Sequence, residues 1–196
     1  MFQNSEYWAE TFRELEATEQ QFSSIEFDDC TFTNCDFRES QFSHCRFIDC
    51  HFIACDMNVV DFSASRFEET RFSGCKLTGI DWTKVDYAAF IHDAPFAFYE
   101  SILNYSSFYG EKLENLSIKK CHLLETDFRE ADLRGADFGG SDLSDTLFRN
   151  TEMSDCDFRG AYDYTIDVRV NSVAGAKFSR DEAVRLLEGL DIVLEP

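Results

Sequence analysis

The chain has little proline, no long apolar stretch and few basic residues. It contains 2 prolines in 196 residues, and 18 lysines and arginines against 38 aspartates and glutamates. A membrane-spanning helix needs about 20 consecutive apolar residues, and no such run occurs. The first residues lack the basic and apolar regions of a signal peptide. With a net charge of −20, we expect a soluble, cytoplasmic protein that binds a basic partner and neither nucleic acid nor a membrane.

Motifs for catalysis or metal binding are also missing. The sequence has no glycine-rich phosphate loop, no nucleophile elbow, no HExxH and no paired CxxC. The cysteines, 8 in number, are spaced within each half of the chain by multiples of five residues. This spacing favours small buried thiols over a zinc site, and a reducing cytosol disfavours disulfides. We therefore expect no enzyme, no cofactor and no metal ion.

A large apolar side chain returns at every fifth residue. The column begins at Phe22, runs without a gap to Tyr87, and consists mostly of phenylalanine. Two places before each large residue stands a small or medium one, as in Cys35-Asp36-Phe37-Arg38-Glu39. Neither a helix nor a strand has this period. Two inward positions in five predict a parallel β-helix whose coils pair their backbone groups with the coils above and below.

The column is interrupted once. Tyr87 and Phe98 are separated by two repeats plus one residue, and Pro95 lies between them. From Phe98 the five-residue period continues to Phe158. One extra residue in a stacked coil must bulge or turn, so we expect a kink at residues 88–97.

The most regular repeats identify a family resemblance. Ala131-Asp132-Leu133-Arg134-Gly135 and Ala136-Asp137-Phe138-Gly139-Gly140 resemble the A(D/N)LXX motif of the pentapeptide-repeat family. This resemblance implies an all-β fold: a right-handed quadrilateral parallel β-helix with four repeats, or roughly twenty residues, in each coil. The repeat covers about four-fifths of the chain.

The two ends depart from the repeat. Residues 1–21 keep a faint register, and we expect an irregular N-terminal cap, with a degenerate first coil or a short helix as alternatives. The β-helix should span residues 22–178. In residues 179–196, Ser179 and Glu182 have the spacing of a capping box and predict an α-helix. Its apolar residues predict a homodimer interface, with a lid over the last coil as the alternative: Ala183, Leu186, Leu187, Leu190, Ile192, Val193 and Leu194.

The acidic residues predict a binding surface. With one extra residue at the break, two adjacent faces of the rod carry most of the net charge. The candidates on one face are Asp28, Asp29, Asp49, Glu68 and Glu69, and those on its neighbour are Asp61, Asp81, Asp142 and Asp145. The charge per unit length of the rod is within a factor of two of that of duplex DNA, which carries about one per 1.7 Å. Acidic residues spread evenly would serve only to keep a repeat rod soluble.

Two segments resemble the topoisomerase-protecting members of the family, the Qnr-type and the albicidin- and microcin B17-resistance proteins. They are the N-terminal half, with Phe27-Asp28-Asp29-Cys30-Thr31-Phe32, and the apolar tail 178–194. The resemblance implies an acidic DNA mimic that binds DNA gyrase or topoisomerase IV and protects it from an antibiotic or peptide toxin. A single extra residue at the break favours the members without large loops. The alternative is a protein-interaction scaffold unrelated to topoisomerases, which an acidic rod with a dimerising tail suits equally well.

Overall fold

The chain forms a parallel β-helix of about eight turns. The computed structural model describes residues 2–87, 94–190 and 192. In a regular coil, each residue pairs with the residue 20 places further on, as Phe32 does with Phe52. The amide of His51 donates to the carbonyl of Cys30 at 2.9 Å, and this pattern recurs along the rod. Stacking thus satisfies the backbone groups that a lone coil would leave unpaired.

The strands are short because a corner interrupts the chain in every repeat. In chain order they are β1 Glu6–Trp8, β2 Thr11–Arg13, β3 Gln21–Ser23, β4 Glu26–Asp28, β5 Thr31–Thr33, β6 Gln41–Ser43, β7 Arg46–Ile48, β8 His51–Ile53, β9 Arg66–Glu68, β10 Thr70–Ser73, β11 Phe96–Tyr99, β12 Ser117–Lys119, β13 Asp157–Phe158 and β14 Lys177–Phe178. They form parallel sheets in the orders β1-β4-β7-β9, β2-β5-β8-β10-β11-β12, β3-β6 and β13-β14. Isolated parallel bridges continue these sheets between the named strands.

The coil has four faces, which we name A to D in chain order after their inward columns. Face A holds Tyr7, Phe27, Phe47 and Phe67, and after the break Leu113, Leu133 and Met153. Face B holds Phe12, Phe32, Phe52, Phe72, Phe98, Ile118, Phe138, Phe158 and Phe178. Face C holds Ala17, Phe37, Met57, Leu77, Leu103, Leu123 and Leu143. Face D holds Phe22, Phe42, Phe62, Trp82, Phe108, Phe128 and Phe148.

The break adds six residues to one coil, and the prediction of a single extra residue is wrong. Phe72 pairs with Phe98, and the neighbouring pair of Cys75 and Ser101 confirms a separation of 26 residues in place of 20. One extra residue and six extra residues, which are one repeat plus one, leave the five-residue period in the same phase. The sequence between Tyr87 and Phe98 therefore could not distinguish the two lengths of the coil. The predicted kink at 88–97 falls largely on residues 88–93, outside the described residues.

Stacked rings fill the interior. The ring of Phe52, which is fully buried, lies between those of Phe32 at 4.6 Å and Phe72 at 5.0 Å between centroids. It also meets the Phe47 ring of the adjacent face edge-on at 5.6 Å. Offset and edge-to-face contacts of this kind add to the free energy gained by burying the rings.

Many positions of the second inward column hold small polar or thiol side chains that bond to the backbone, and the others hold apolar side chains such as Ile25 and Val60. Ser65 Oγ donates to the carbonyl of Phe42 at 2.7 Å, and Cys55 Sγ donates to that of Phe32 at 3.4 Å. All eight cysteines are buried and free, which confirms the prediction of core thiols. Burial raises the pKa of the Cys50 and Cys121 thiols to about 12. They behave as small core residues with a donor for a buried carbonyl.

The corners adopt left-handed backbone conformations. In the repeat of Phe37, the amide of Ser40 donates to the carbonyl of Phe37 at 3.0 Å, and Glu39 between them has φ 57°. A type II turn requires this positive φ at its third residue, where glycine is the least strained choice. A side chain there costs about 1–2 kcal/mol. Many corners nevertheless carry a residue other than glycine, and the outward side chains of these residues can contact partners.

The N-terminal end is a regular coil covered by one ring. β1 and β2 pair with β4 and β5, so the prediction of an irregular cap is wrong for residues 6–21, and the degenerate first coil is the correct alternative. The Phe2 ring packs edge-on against Tyr7 at 5.6 Å and Phe27 at 5.0 Å. It covers the apolar end of the column, which would otherwise be exposed.

The C-terminal helix is of the 3₁₀ type, spanning Glu182–Leu190, and the predicted α-helix is wrong in type. The predicted capping role of Ser179 is also wrong, since its Oγ accepts a hydrogen bond from the amide of Gly160 at 2.7 Å. Leu186 packs against the core of the last coil, as a lid would. Val193 and Leu194 of the predicted interface lie outside the described residues.

Candidate protein-binding surface

Acidic residues concentrate on faces A and C, which lie on opposite sides of the rod. Among the residues that the structure describes, the outward positions of face A hold twelve acids against four bases, and those of face C hold nine against two. Face D is almost balanced, and face B has more bases than acids. Positive charge on face B lies mainly in the last coils, at Lys119, Lys120, Lys177 and Arg180. The rod therefore presents two separate acidic surfaces.

This arrangement corrects the prediction of two adjacent acidic faces. The structure places Asp28, Asp29, Asp49, Glu68 and Glu69 on face A, Asp142 and Asp145 on face C, and Asp61 and Asp81 on face D. The error arises at the break, because six extra residues stack Phe108 on Trp82 where one extra residue would have stacked it on Tyr87. Every assignment beyond the break therefore moves by one face.

Ion pairs between coils neutralise the centre of face A. Arg46 lies 2.7 Å from a carboxylate oxygen of Glu26 and 3.6 Å from one of Glu68. Arg66 pairs with Asp86 at 2.6 Å. Exposed pairs of this kind contribute little to stability, but they leave fewer acidic groups free at the middle of the face.

The edge between faces A and B carries carboxylates that these pairs do not reach. Asp29, Asp49 and Glu69 occupy the same corner of three successive coils, with φ 52°, 49° and 48°. We call them the A/B ladder. None takes part in an ion pair within the described part of the chain. At a coil rise of about 4.8 Å the three charges repel one another, and a basic partner would relieve that repulsion.

A shallow groove runs beside the A/B ladder. Besides the three acids it is lined by Thr31, His51 and Arg71. Burial, with Arg71 nearby, lowers the pKa of His51, and its Nε2 lies 2.9 Å from Ser73 Oγ. His51 is therefore neutral near pH 7, and Arg71 is the one cation lining a groove that holds three carboxylates.

Several aspartates that precede the large residues pair with an arginine of their own repeat. Asp36, Asp132 and Asp157 each bond to the arginine two residues later, through its guanidinium and its backbone amide. These hydrogen bonds lower the pKa of each carboxyl, to about 2 for Asp157. Each carboxylate serves its own repeat. The Asp-x-Arg spacing is visible in the sequence and could have indicated these pairs.

The edge between faces C and D has a feature that the sequence analysis missed. The C/D corner, as we name it, comprises one corner residue from each of seven successive coils: Glu19, Glu39, Val59, Gly79, Tyr105, Glu125 and Asp145. Val59 and Tyr105 are large apolar or aromatic residues, 58% and 55% exposed, whereas most corners hold an acid or a glycine. A period-five pattern marks these positions as outward but does not show which corners share an edge.

The described residues include no helix of the length and apolar character needed to cross a membrane. Nor do residues 2–87, 94–190 and 192 contain a cluster of three or more potential metal ligands.

Comparisons with known proteins agree with this architecture. Two family models match, the pentapeptide repeat region over residues 25–90 and the eight-copy pentapeptide repeats over residues 126–162. No curated protein gives a significant match. A trypsin-treated variant of QnrB1, a plasmid-mediated fluoroquinolone resistance protein, superposes with a TM-score of 0.69 at 22% identity, covering 97% of this chain and 99% of its own. Full-length QnrB1 gives 0.59 at 22% identity, with 93% and 100% covered.

The two matched segments lie on either side of the break and share the period, the inward columns and the coil length described above. The chain belongs to the pentapeptide-repeat family.

Proposed function

We propose that this protein is an acidic DNA mimic that binds a type II topoisomerase, DNA gyrase or topoisomerase IV, and protects it from an antibiotic or a peptide toxin. The A/B ladder carries the proposal, since it presents unpaired carboxylates at a regular spacing along a rigid edge. Duplex DNA presents its phosphates in the same regular manner. A basic cleft that binds DNA would meet a comparable row of charges on this protein.

The opposition of faces A and C supports this proposal further. A cleft that grips a duplex contacts phosphates on both sides of it. An acidic rod with charge on two opposite faces suits such a cleft, whereas charge on one side would suit a flat basic surface. QnrB1, a fluoroquinolone resistance protein, has the same fold, which favours a resistance role over other functions of a solenoid.

We also propose that the protein is a cytoplasmic homodimer joined through its C-terminal ends. Leu186 packs against its own core, while Ala183, Leu187 and Leu190 are half-buried and Ile192 is 50% exposed. An apolar end of this kind can pair with its two-fold copy. The dimer would double the length of the acidic rod.

Gyrase supercoiling, titrated with the purified protein in the presence and absence of ciprofloxacin, albicidin or microcin B17, tests the function. Reversing the A/B ladder to lysine, as Asp29→Lys, Asp49→Lys and Glu69→Lys together, should weaken gyrase binding far more than reversing Glu14, Glu39 and Glu130. The control acids also occupy left-handed corners, with φ 52°, 57° and 61°, but one lies on each of the other three edges. Both triples change the net charge equally.

Binding should also weaken steeply as salt rises, because exposed charges are screened beyond about 8 Å at physiological ionic strength. Equal losses from the two triples would leave only non-specific acidity and reject the mimic. A protein that neither binds gyrase nor alters its activity would be an interaction scaffold of another kind, for which the exposed apolar groups of the C/D corner would be the surface to examine.

A further inference from the structure

The middle of the C/D corner forms a notch with apolar walls. Gly79 is its floor, and the corners of the coils below and above place Val59 and Tyr105 on either side. A Cβ atom at Gly79 would lie 3.7 Å from Cγ2 of Val59, so the space above the glycine is open and borders directly on the valine. Two coil steps, about 10 Å, separate Val59 from Tyr105.

Folding alone does not account for these two walls. Val59 has φ 59° and Tyr105 has φ 60°, and positive φ is a rare, strained choice for a β-branched residue such as valine or a bulky one such as tyrosine. Both side chains are also more than half exposed, so they stabilise no core. The coil between them has Gly79 at this corner, with φ 72°, which shows that the fold accepts glycine there. The turns need the left-handed backbone, because the amides of Val60 and Ser106 close them, but they do not need an exposed valine or tyrosine. A strained side chain that adds no packing indicates a role in binding.

Carboxylates flank the notch on both sides. Glu39 lies one coil below Val59 and Glu19 one coil below that, while Glu125 and Asp145 follow Tyr105. None of the four forms an ion pair with a described residue. The corner thus presents two acids, an apolar notch and two acids in one straight line. Measured from Gly79, the acids lie about 10 Å and 14 Å away in each direction.

We propose that the C/D corner is a docking site for an α-helix of a protein partner that carries one apolar side chain midway between two pairs of basic residues. A helix rises 1.5 Å per residue, so its residues seven and eleven places from the centre lie about 10.5 Å and 16.5 Å along its axis. The first are level with Glu39 and Glu125, and the second lie about 2 Å beyond Glu19 and Asp145, a difference that a lysine side chain spans. Those residues share one face with the central one. The apolar side chain enters the notch, and the basic residues meet Glu19 and Glu39 on one side and Glu125 and Asp145 on the other.

The occupant is a protein because nucleic acid would bring phosphates against four carboxylates. A second copy of this chain is a poorer fit, since its 3₁₀ helix Glu182–Leu190 is short and has Arg185 as its one base. This site lies on a different edge from the A/B ladder, so it does not depend on the topoisomerase proposal.

The test uses a designed helical peptide of about 23 residues with leucine at its centre and lysine seven and eleven residues away on each side. A comparison peptide has alanine at the centre. Isothermal titration at low salt should show the leucine peptide binding roughly tenfold more tightly than the alanine peptide, since the notch buries part of the larger side chain. Equal affinities, or no binding of either peptide, would overturn the proposal.

Two variants separate binding from folding. Val59→Gly and Tyr105→Gly remove the walls and relieve the left-handed strain. They should abolish the preference for leucine while their melting temperatures stay the same or rise. Ala54→Gly and Ala64→Gly, at corners with φ 53° and 55° on other edges, also relieve left-handed strain and should keep the preference. If Val59→Gly and Tyr105→Gly still preferred the leucine peptide, the site would be contradicted. If the unsubstituted protein self-associated and these variants did not, the notch would bind a second copy of the chain, which would also contradict the proposal.

Discussion

The ring of Phe72 stacks on that of Phe98, with centroids 5.3 Å apart and planes 17° from parallel. Phe72 makes the same contact with Phe52 on its other side, at 5.0 Å and 10°. The column of face B is therefore continuous across the break, although the coil that contains the break is six residues longer than the others. This one contact decides which charged residues of the two halves share a face.

Removing one ring from the stack should destabilise the whole rod. Phe52→Ala leaves a cavity between the rings of Phe32 and Phe72, and its cost should be about 3–5 kcal/mol in the free energy of unfolding. Urea denaturation measures this cost. A midpoint equal to that of the unsubstituted protein would mean that the stack tolerates a cavity in the middle of the column.

The thiols should be unreactive in the folded protein. Burial raises the pKa of Cys50, Cys121 and Cys156 to about 12, so these three form few thiolates near neutral pH. All eight cysteines are buried, which keeps a reagent away from the others as well. A chromogenic disulfide reagent should label almost none of the eight cysteines at pH 7.5 and all of them in denaturant. Rapid labelling of even one cysteine in the native protein would show an open coil.

Stability should fall in strong acid as the Asp-Arg pairs are lost. Hydrogen bonds from arginine hold the pKa of Asp132 and Asp157 below the unfolded value, to about 2 for Asp157. A depressed carboxyl pKa stabilises the fold above the unfolded pKa of about 4, and this contribution disappears as the pH falls through the folded value. The melting temperature should drop between pH 4 and 2, and less steeply in the Asp132→Asn, Asp157→Asn double variant. An identical drop in the variant would assign the acid sensitivity to other groups.

Self-association should depend on the outer face of the C-terminal helix. Leu187→Glu would bury an unpaired charge in a two-fold interface and should give monomers by light scattering. Val184→Glu is the control, because Val184 is 46% exposed and is not among the residues of the predicted interface, so this variant should remain dimeric. Leu186→Glu should instead lower the melting temperature, since Leu186 packs against the core. A monomer mass for the unsubstituted protein would reject the dimer.

The sequence predicted the features that depend on one repeat and missed those that depend on several coils. The inward columns, such as Phe52 with its neighbour Cys50, follow from a five-residue unit that cannot bury its apolar side chains alone. The stacking partner of Phe98 depends on how many residues the break inserts into a coil, and the phase of the period does not report that number. The C/D corner was missed for the same reason. Val59 and Tyr105 are placed on the same edge only when the coil containing the break is given six extra residues.

The 20-residue pairing fixes where any surface group can stand. A substitution can change what a corner such as Asp49 or Gly79 displays, but it cannot move that position along the rod by less than one coil step. Duplicating a whole coil would add one residue to each row of stacked corner residues and would leave the pairing of the other coils intact. The backbone therefore sets the spacing of the corner positions, and only the side chains at those positions can vary. A partner that contacts several corners must space its own groups by the same coil step.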